Sequence, residues 1–138
     1  MDLEKIVQVG MAKEMTFLVE EEHLAIHIGS GSVRVLATPW MITYLERTAR
    51  LFLAELLPEG YSSVGVHVDV RHLAPTPFGG TVRTRVEVVS VDGVKIDFSV
   101  EAWDEHEHVG GGSHRRVVID EARFLRRVAK KEPGTVGE

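Results

Sequence analysis

Two hydrophobic periods divide this chain, and their order limits the folds open to it. Met41, Ile42, Leu45, Ala49, Phe52, Leu53 and Leu56 recur at spacings of one, three and four. That pattern predicts an amphipathic helix. Thr38-Pro39 predicts its start, with Thr38 as N-cap and Pro39 at the first helical position, where no N–H is needed. Pro58 and Gly60 predict its stop. From residue 64 the period changes to two. Val64, Val66, Val68 and Val70 are expected on one face of a strand, and His67, Asp69 and Arg71 on the other. Val82, Val86 and Val88 share a face with Thr84 in 81–91. Beyond Asp92-Gly93, a strong hairpin signal, Val94, Ile96, Phe98, Val100 and Ala102 alternate with polar residues. A further strand is expected at 108–119, and Asp120 can cap a short last helix. Ahead of the long helix, strands are expected at 15–20 and 32–37, and the EEEH run at 20–23 as a solvated turn.

The apolar face of such a sheet must be covered, and only the early helix is long enough to do it. The expected class is α+β, one domain over 1–138, with an antiparallel meander wrapped around one long central helix. Residues 1–13 and 132–138 are expected to be peripheral.

Composition removes several classes of function. The chain has no cysteine, so disulfides, thiolate nucleophiles and cysteine-based zinc sites are excluded, which fits a cytoplasmic protein. Its formal net charge of −5 makes nucleic acid a poor partner. No apolar run is long enough to span a membrane. The N-terminus lacks the basic-then-apolar order of a signal peptide. His106-Glu107-His108 has no third ligand at a recognised spacing, and His67 with Asp69 makes only half a site, so no metal is expected.

Three residues carry candidate chemistry. Glu46 falls on the apolar side of the predicted helix, where a carboxylate is costly unless paired. It either snorkels or pairs with Arg50, or it is a partly desolvated base or nucleophile. Thr38 is an N-cap, or its hydroxyl orients a substrate near the free N–H groups of the helix start. His72 ends a strand and is followed by Leu73-Ala74-Pro75-Thr76-Pro77, where two prolines stiffen the chain. It is structural, or it is an imidazole held for proton transfer. Gly65, in an otherwise β-branched strand, permits close approach. The glycines 110–112 weaken a strand and imply close approach or a bulge. Behind them, Ser113 and Arg115 share one face and His114 and Arg116 the other. An arginine here, Arg115 or Arg116, is a solvated charge or a clamp for a phosphate or carboxylate.

The strings ATPWMITYLERTAR, VGVHVDVRHLAPTPFGG and VGGGSHRRVVID, in that order, resemble the hotdog-fold acyl-CoA thioesterases, in particular their fluoroacetyl-CoA thioesterase-like branch. The resemblance covers roughly residues 14–130. It implies a hotdog fold and a catalytic set of Thr38, Glu46 and His72. It also implies substrate binding by Gly65 at the acyl carbonyl and by Arg116. No cofactor is implied beyond the CoA thioester substrate. It further implies a homodimer joined edge to edge, with sites at the subunit interface, which a dimer of dimers would extend. The branch has a longer lid with phenylalanines before its helix. Here that stretch is GSGSVRVL, so fluorine selectivity is not implied.

The expected activity is hydrolysis of a small or medium acyl-CoA, with Glu46 as base or nucleophile, His72 as acid/base and Thr38 positioning. A non-catalytic acyl-CoA binding module is the alternative, and a hotdog dehydratase, whose histidine motif is missing, is a third reading.

Overall fold

The computed structural model describes residues 1–134. Its elements are α1 (Leu3–Ile6), β1 (Ala12–Leu18), α2 (Ala25–Ile28), α3 (Thr38–Leu56), β2 (Tyr61–His72), β3 (Thr81–Asp92), β4 (Lys95–Trp103), β5 (His108–Asp120) and α4 (Glu121–Ala129). The five strands form one antiparallel sheet in the order β1-β3-β4-β5-β2. The sheet is therefore a meander only from β3 to β5. The strand that leaves the helix, β2, pairs at the far edge with β5, and β1 closes the other edge against β3. No helix among the described residues is long and apolar enough to cross a membrane.

The α3 stripe packs as its period requires. Met41, Leu45, Ala49, Phe52 and Leu53 are buried against Val82, Val86, Ile96, Phe98 and Val100 of the sheet. Phe52 meets Phe98 edge-on at 5.9 Å, and Tyr44 stacks on Phe17 at 4.4 Å, both favourable ring geometries. Thr48 faces the sheet too, but its hydroxyl bonds the Tyr44 carbonyl and the Thr84 hydroxyl, so its polar atom is satisfied. The β3–β4 hairpin turns at Gly93, whose φ of 61° explains the Asp92-Gly93 signal.

Four local expectations change. The EEEH run is not a solvated turn: Glu21–His23 is a 3-10 turn with a capping box between Glu20 and His23. His23 is buried, and its ring takes a hydrogen bond with the Tyr44 hydroxyl at 2.9 Å. Residues 32–37 form no strand of the sheet; Leu36 bridges Leu24 and Val35 bridges Pro77. The first residues do more than lie at the periphery, since Leu3 and Val7 are buried in the core. At the other end, Glu132 to Gly134 are exposed, and 135–138 lie outside the described residues.

The fourth change concerns β2. Its pairing with β5 shifts register between Gly65 and His67, leaving Val66 as a bulge. Val64 thus pairs with Val117 on the outer face, while Val68 and Val70 lie with His114 and Gly112 on the inner one. The predicted set of four valines on one face is split. Glycine 110 sits opposite His72 because a side chain there would strike the Arg71 carbonyl oxygen and the Met41 sulfur. Gly110→Ala should therefore lower stability by about 1–3 kcal/mol. Urea denaturation at fixed pH measures it, and an unchanged midpoint would show that the strands can part without cost.

Candidate active site

Helix α3 begins one residue earlier than its sequence signal. Ala37 is the N-cap, Thr38 the first helical residue and Pro39 the second. The Thr38 side chain makes no capping bond. Its hydroxyl lies 2.7 Å from Nδ1 of His72, at the C-terminal end of β2. This pair links the helix entrance to the strand exit.

His72 is half-buried, and its Nε2 is a buried atom with no hydrogen-bond partner. Burial holds its pKa below the ordinary imidazole value, opposed by a hydrogen bond with the Ala74 backbone. The ring is therefore neutral at neutral pH, with one nitrogen occupied by Thr38 and the other free. A cleft of about 280 Å³ opens beside the pair, walled by Ala25, Val35, Leu36, Leu73 and Pro75. Ser30, Thr38 and His72 line it as well, so the cleft is polar around the pair and aliphatic on its remaining walls, and exposed Ile26 and Val33 add apolar surface in the same segment.

A second cluster forms further along the helix. Glu46 does not pair with Arg50. Its carboxylate lies 3.9 Å from Nη1 of Arg116 on β5, and its side chain is 39% exposed. Gly65, paired with Arg116, lies directly beneath both. A Cβ at Gly65 would sit 2.9 Å from Glu46 Oε2 and 3.3 Å from Arg116 Nη1. Arg116 is buried. Its Nε donates to the Ser63 hydroxyl at 2.8 Å, its Nη2 to the Ser63 carbonyl at 3.0 Å, and its Nη1 faces Nε2 of His114 at 3.1 Å. Burial lowers its pKa, while the Glu46 charge raises it. Arg115, one residue away, instead pairs with Asp97 on the outer face.

All five residues singled out from the sequence thus face the inner side of the sheet, but in two groups. Thr38 joins His72, and Glu46 joins Gly65 and Arg116. Eight residues of helix separate the acid from the threonine, about 12 Å along the axis. Two further residues belong with Arg116: Ser63 and His114. His114 shares Arg116's face by simple alternation, and that parity was the signal for it.

The family is now identifiable. A profile of the fluoroacetyl-CoA-specific thioesterases matches residues 19–122. The fluoroacetyl-CoA thioesterase of Streptantibioticus cattleyicolor is 35% identical over 99 residues, 72% of this chain and 71% of that one. A solved structure of the fluoroacetyl-CoA thioesterase FlK superposes with a TM-score of 0.86 at 30% identity, over 92% of this chain and 98% of that chain. A hot-dog-like protein from Thermanaerovibrio acidaminovorans gives 0.89 at 29% identity, over 97% of this chain and 99% of that one. The fold is the hotdog fold, the α+β class expected. The chain belongs to the fluoroacetyl-CoA-specific thioesterase family, and its activity class is acyl-CoA thioester hydrolysis.

Two measurements test the geometry. Gly65→Ala should displace the Glu46 carboxylate, which is flexible, and so lower turnover about 10- to 100-fold with little loss of stability. Normal turnover would mean that the Glu46–Gly65 approach is irrelevant to the reaction. The pH dependence of stability has a definite sign. Burial lowers the pKa of both His72 and His114 from an ordinary 6.5. Below that value the unfolded chain binds protons that the folded chain refuses. Stability is therefore full above about pH 6.5 and is lost as pH falls through the lowered values. Urea midpoints should drop between about pH 7.5 and 5.5, and a flat profile would contradict the burial of these rings.

Proposed function

We propose that this chain hydrolyses a small or medium aliphatic acyl-CoA thioester, and that each site is shared between two subunits. The observation that carries the reading is the Thr38–His72 hydrogen bond, which leaves a neutral imidazole with a free nitrogen beside a partly aliphatic cleft. The relatives support the substrate class, since structures of FlK include one with fluoroacetate and CoA. The phenylalanine-bearing lid of that branch has no counterpart in Gly29–Leu36, and a fluorine-selective pocket is not part of the reading.

In this mechanism Glu46 either takes a proton from the attacking water or adds to the carbonyl itself. The new C–O bond places negative charge on the carbonyl oxygen, which the Arg116 guanidinium and the backbone at Gly65 stabilise. Collapse breaks the C–S bond. In the water route Glu46 and the neutral His72 imidazole take up the proton of the attacking water, and His72, its ring held by Thr38, passes it to the departing CoA thiolate. In the direct route the thiolate leaves as the anion. A water whose proton His72 accepts then cleaves the Glu46 anhydride to the free acid and the Glu46 carboxylate, after which His72 gives that proton to the thiolate. No cofactor takes part.

The two half-sites call for a partner. β2 is an edge strand with its second edge unpaired in the sheet, and Val66 and Val68 are 54% and 38% exposed on it. Such an edge is a template for another strand. Antiparallel pairing of β2 with its own copy about a two-fold axis through residue 69 would set 68 opposite 70, 67 opposite 71 and, past the extra residue at Val66, residue 65 of one subunit opposite residue 72 of the other. Glu46, Gly65 and Arg116 of one protomer would then meet Thr38 and His72 of its partner. A homodimer is accordingly part of this proposal, and so is a cytoplasmic setting.

Three outcomes are expected. Wild-type protein releases thiol from short acyl-CoAs, whereas a binding module would bind them without release. Glu46→Gln lowers kcat by at least about 100-fold; near-normal turnover would remove Glu46 from the mechanism. Mixing inactive Glu46→Gln and His72→Ala subunits restores about a quarter of wild-type activity, because each mixed dimer keeps one intact site. Failure of the two inactive variants to complement, with subunit exchange verified, would place the whole site within one chain.

A further inference from the structure

We propose that His114 is the positioning residue for Arg116, and that it acts only as the neutral imidazole with its proton on Nδ1. The inference rests on the thioesterase reading for its kinetic arm and on geometry alone for its structural one. His114 Nδ1 lies 2.9 Å from the His67 carbonyl oxygen, which can only accept, so Nδ1 must donate. Nε2 is then an acceptor. Opposite it, at 3.1 Å, stands Nη1 of Arg116, which can only donate. The two bonds fix a single tautomer.

The guanidinium is gripped from two sides. Ser63 takes Nε and Nη2, and His114 takes Nη1, the nitrogen nearest Glu46. Removing the acceptor at Nε2 would leave Nη1 free to swing toward the Glu46 carboxylate and close the gap above Gly65. The imidazole, 2% exposed, stacks at 6.4 Å on Phe98, so a phenyl ring would suit the packing equally well. What a phenyl ring cannot supply is the acceptor.

Protonation has the same effect as removal. A second N–H on Nε2 would point at Nη1 with nothing between them to accept it. The charged and titratable groups around this pair are Glu46 and Arg50 from α3, His67 from β2 and Arg116 itself on β5, and on the outer side the Asp97–Arg115 ion pair of β4 and β5 lines one cavity with His114 and Phe98. Burial opposes the imidazolium, as do the charges of Arg116 and of the His67 ring, while the hydrogen bond to the His67 carbonyl and the Glu46 charge favour it. Acid therefore unlocks the guanidinium in a folded protein.

The test compares His114→Phe with His114→Gln in the full chain. Gln offers an amide N–H and a carbonyl oxygen but cannot titrate. H114F should lower kcat about 10- to 100-fold, the scale of misplacing a catalytic group, with KM changed less than about threefold. H114Q should recover most of that loss near pH 8 and show a shallower fall in kcat toward pH 5.5 than wild type. A folded H114F with wild-type kcat would overturn the positioning role. An H114Q profile superposing on wild type in acid would overturn its proton dependence. If H114F does not fold, NMR of the Arg116 Nε–H in wild type and H114Q replaces it. In wild type that signal should exchange slowly with water above the His114 transition and rapidly below it, and in H114Q its exchange should lack that transition. Identical acid responses in both proteins would sink the idea. The NMR arm holds whether or not acyl-CoA is the substrate, so a failure of the proposed function, seen as no thiol release by wild type, is distinguishable from a failure of this inference.

Discussion

One extra residue in β2 sets the geometry of everything that follows. Successive residues of a strand point to opposite faces, so positions 65 and 72, an odd number apart, would ordinarily face opposite ways. Val66 bulges out of register, and the parity resets. Only then do Gly65 and His72 both face helix α3. The cost is a row of valines that no longer shares one face, and an outward Val64. A strand optimised for its own alternation would have carried either the glycine or the histidine to the helix, never both.

The same face carries an unusual share of polar groups for a core. Thr48 with Thr84, His23 with Tyr44, and Arg116 with His114 lie buried, with Ser63 half-buried beside Arg116, and each has a hydrogen-bond partner on a different element. Burying such groups without partners would cost far more than the bonds return, so these pairs specify where elements sit more than how firmly. His23 illustrates the point. It ties the turn after β1 to Tyr44 of α3 and tilts against Trp40 at 4.4 Å. Tyr44 stays protonated in this setting, since burial raises its pKa to about 12.

Long, strongly periodic segments were readable from sequence. Helix α3, the Asp92-Gly93 hairpin and the clean alternation of β4 needed only local rules. Alternation put Arg116 and His114 on one face without saying which face was inward, and the three glycines of β5 signalled the crowding now seen at Gly110. What sequence hid was non-local. The placement of β2 beyond β5 depends on which strands meet across the sheet, not on their own residues. The bulge at Val66 leaves no mark in a run of valines. Thr38 is a good N-cap by chemistry, yet Ala37 takes that position and the threonine hydroxyl bonds His72 at the end of β2 instead. His23 looked solvated amid glutamates, since its partners Tyr44 and Trp40 lie some twenty residues away.

The strap between β1 and α3 has a different standing from the rest. From Leu24 to Ala37 it closes on itself through a Leu24–Leu36 bridge that seats both leucines in the core, and it meets the β2–β3 loop through a bridge from Val35 to Pro77, with an exposed Arg34–Glu21 pair beside it. Surface pairs of that kind hold little. Yet this strap supplies one wall of the cleft, while the threonine, acid and histidine stand on α3 and β2. Descendants of such a chain can therefore lengthen, shorten or re-line that wall by insertion and drift, trying new acyl groups while the reacting side chains stay where the sheet and helix put them.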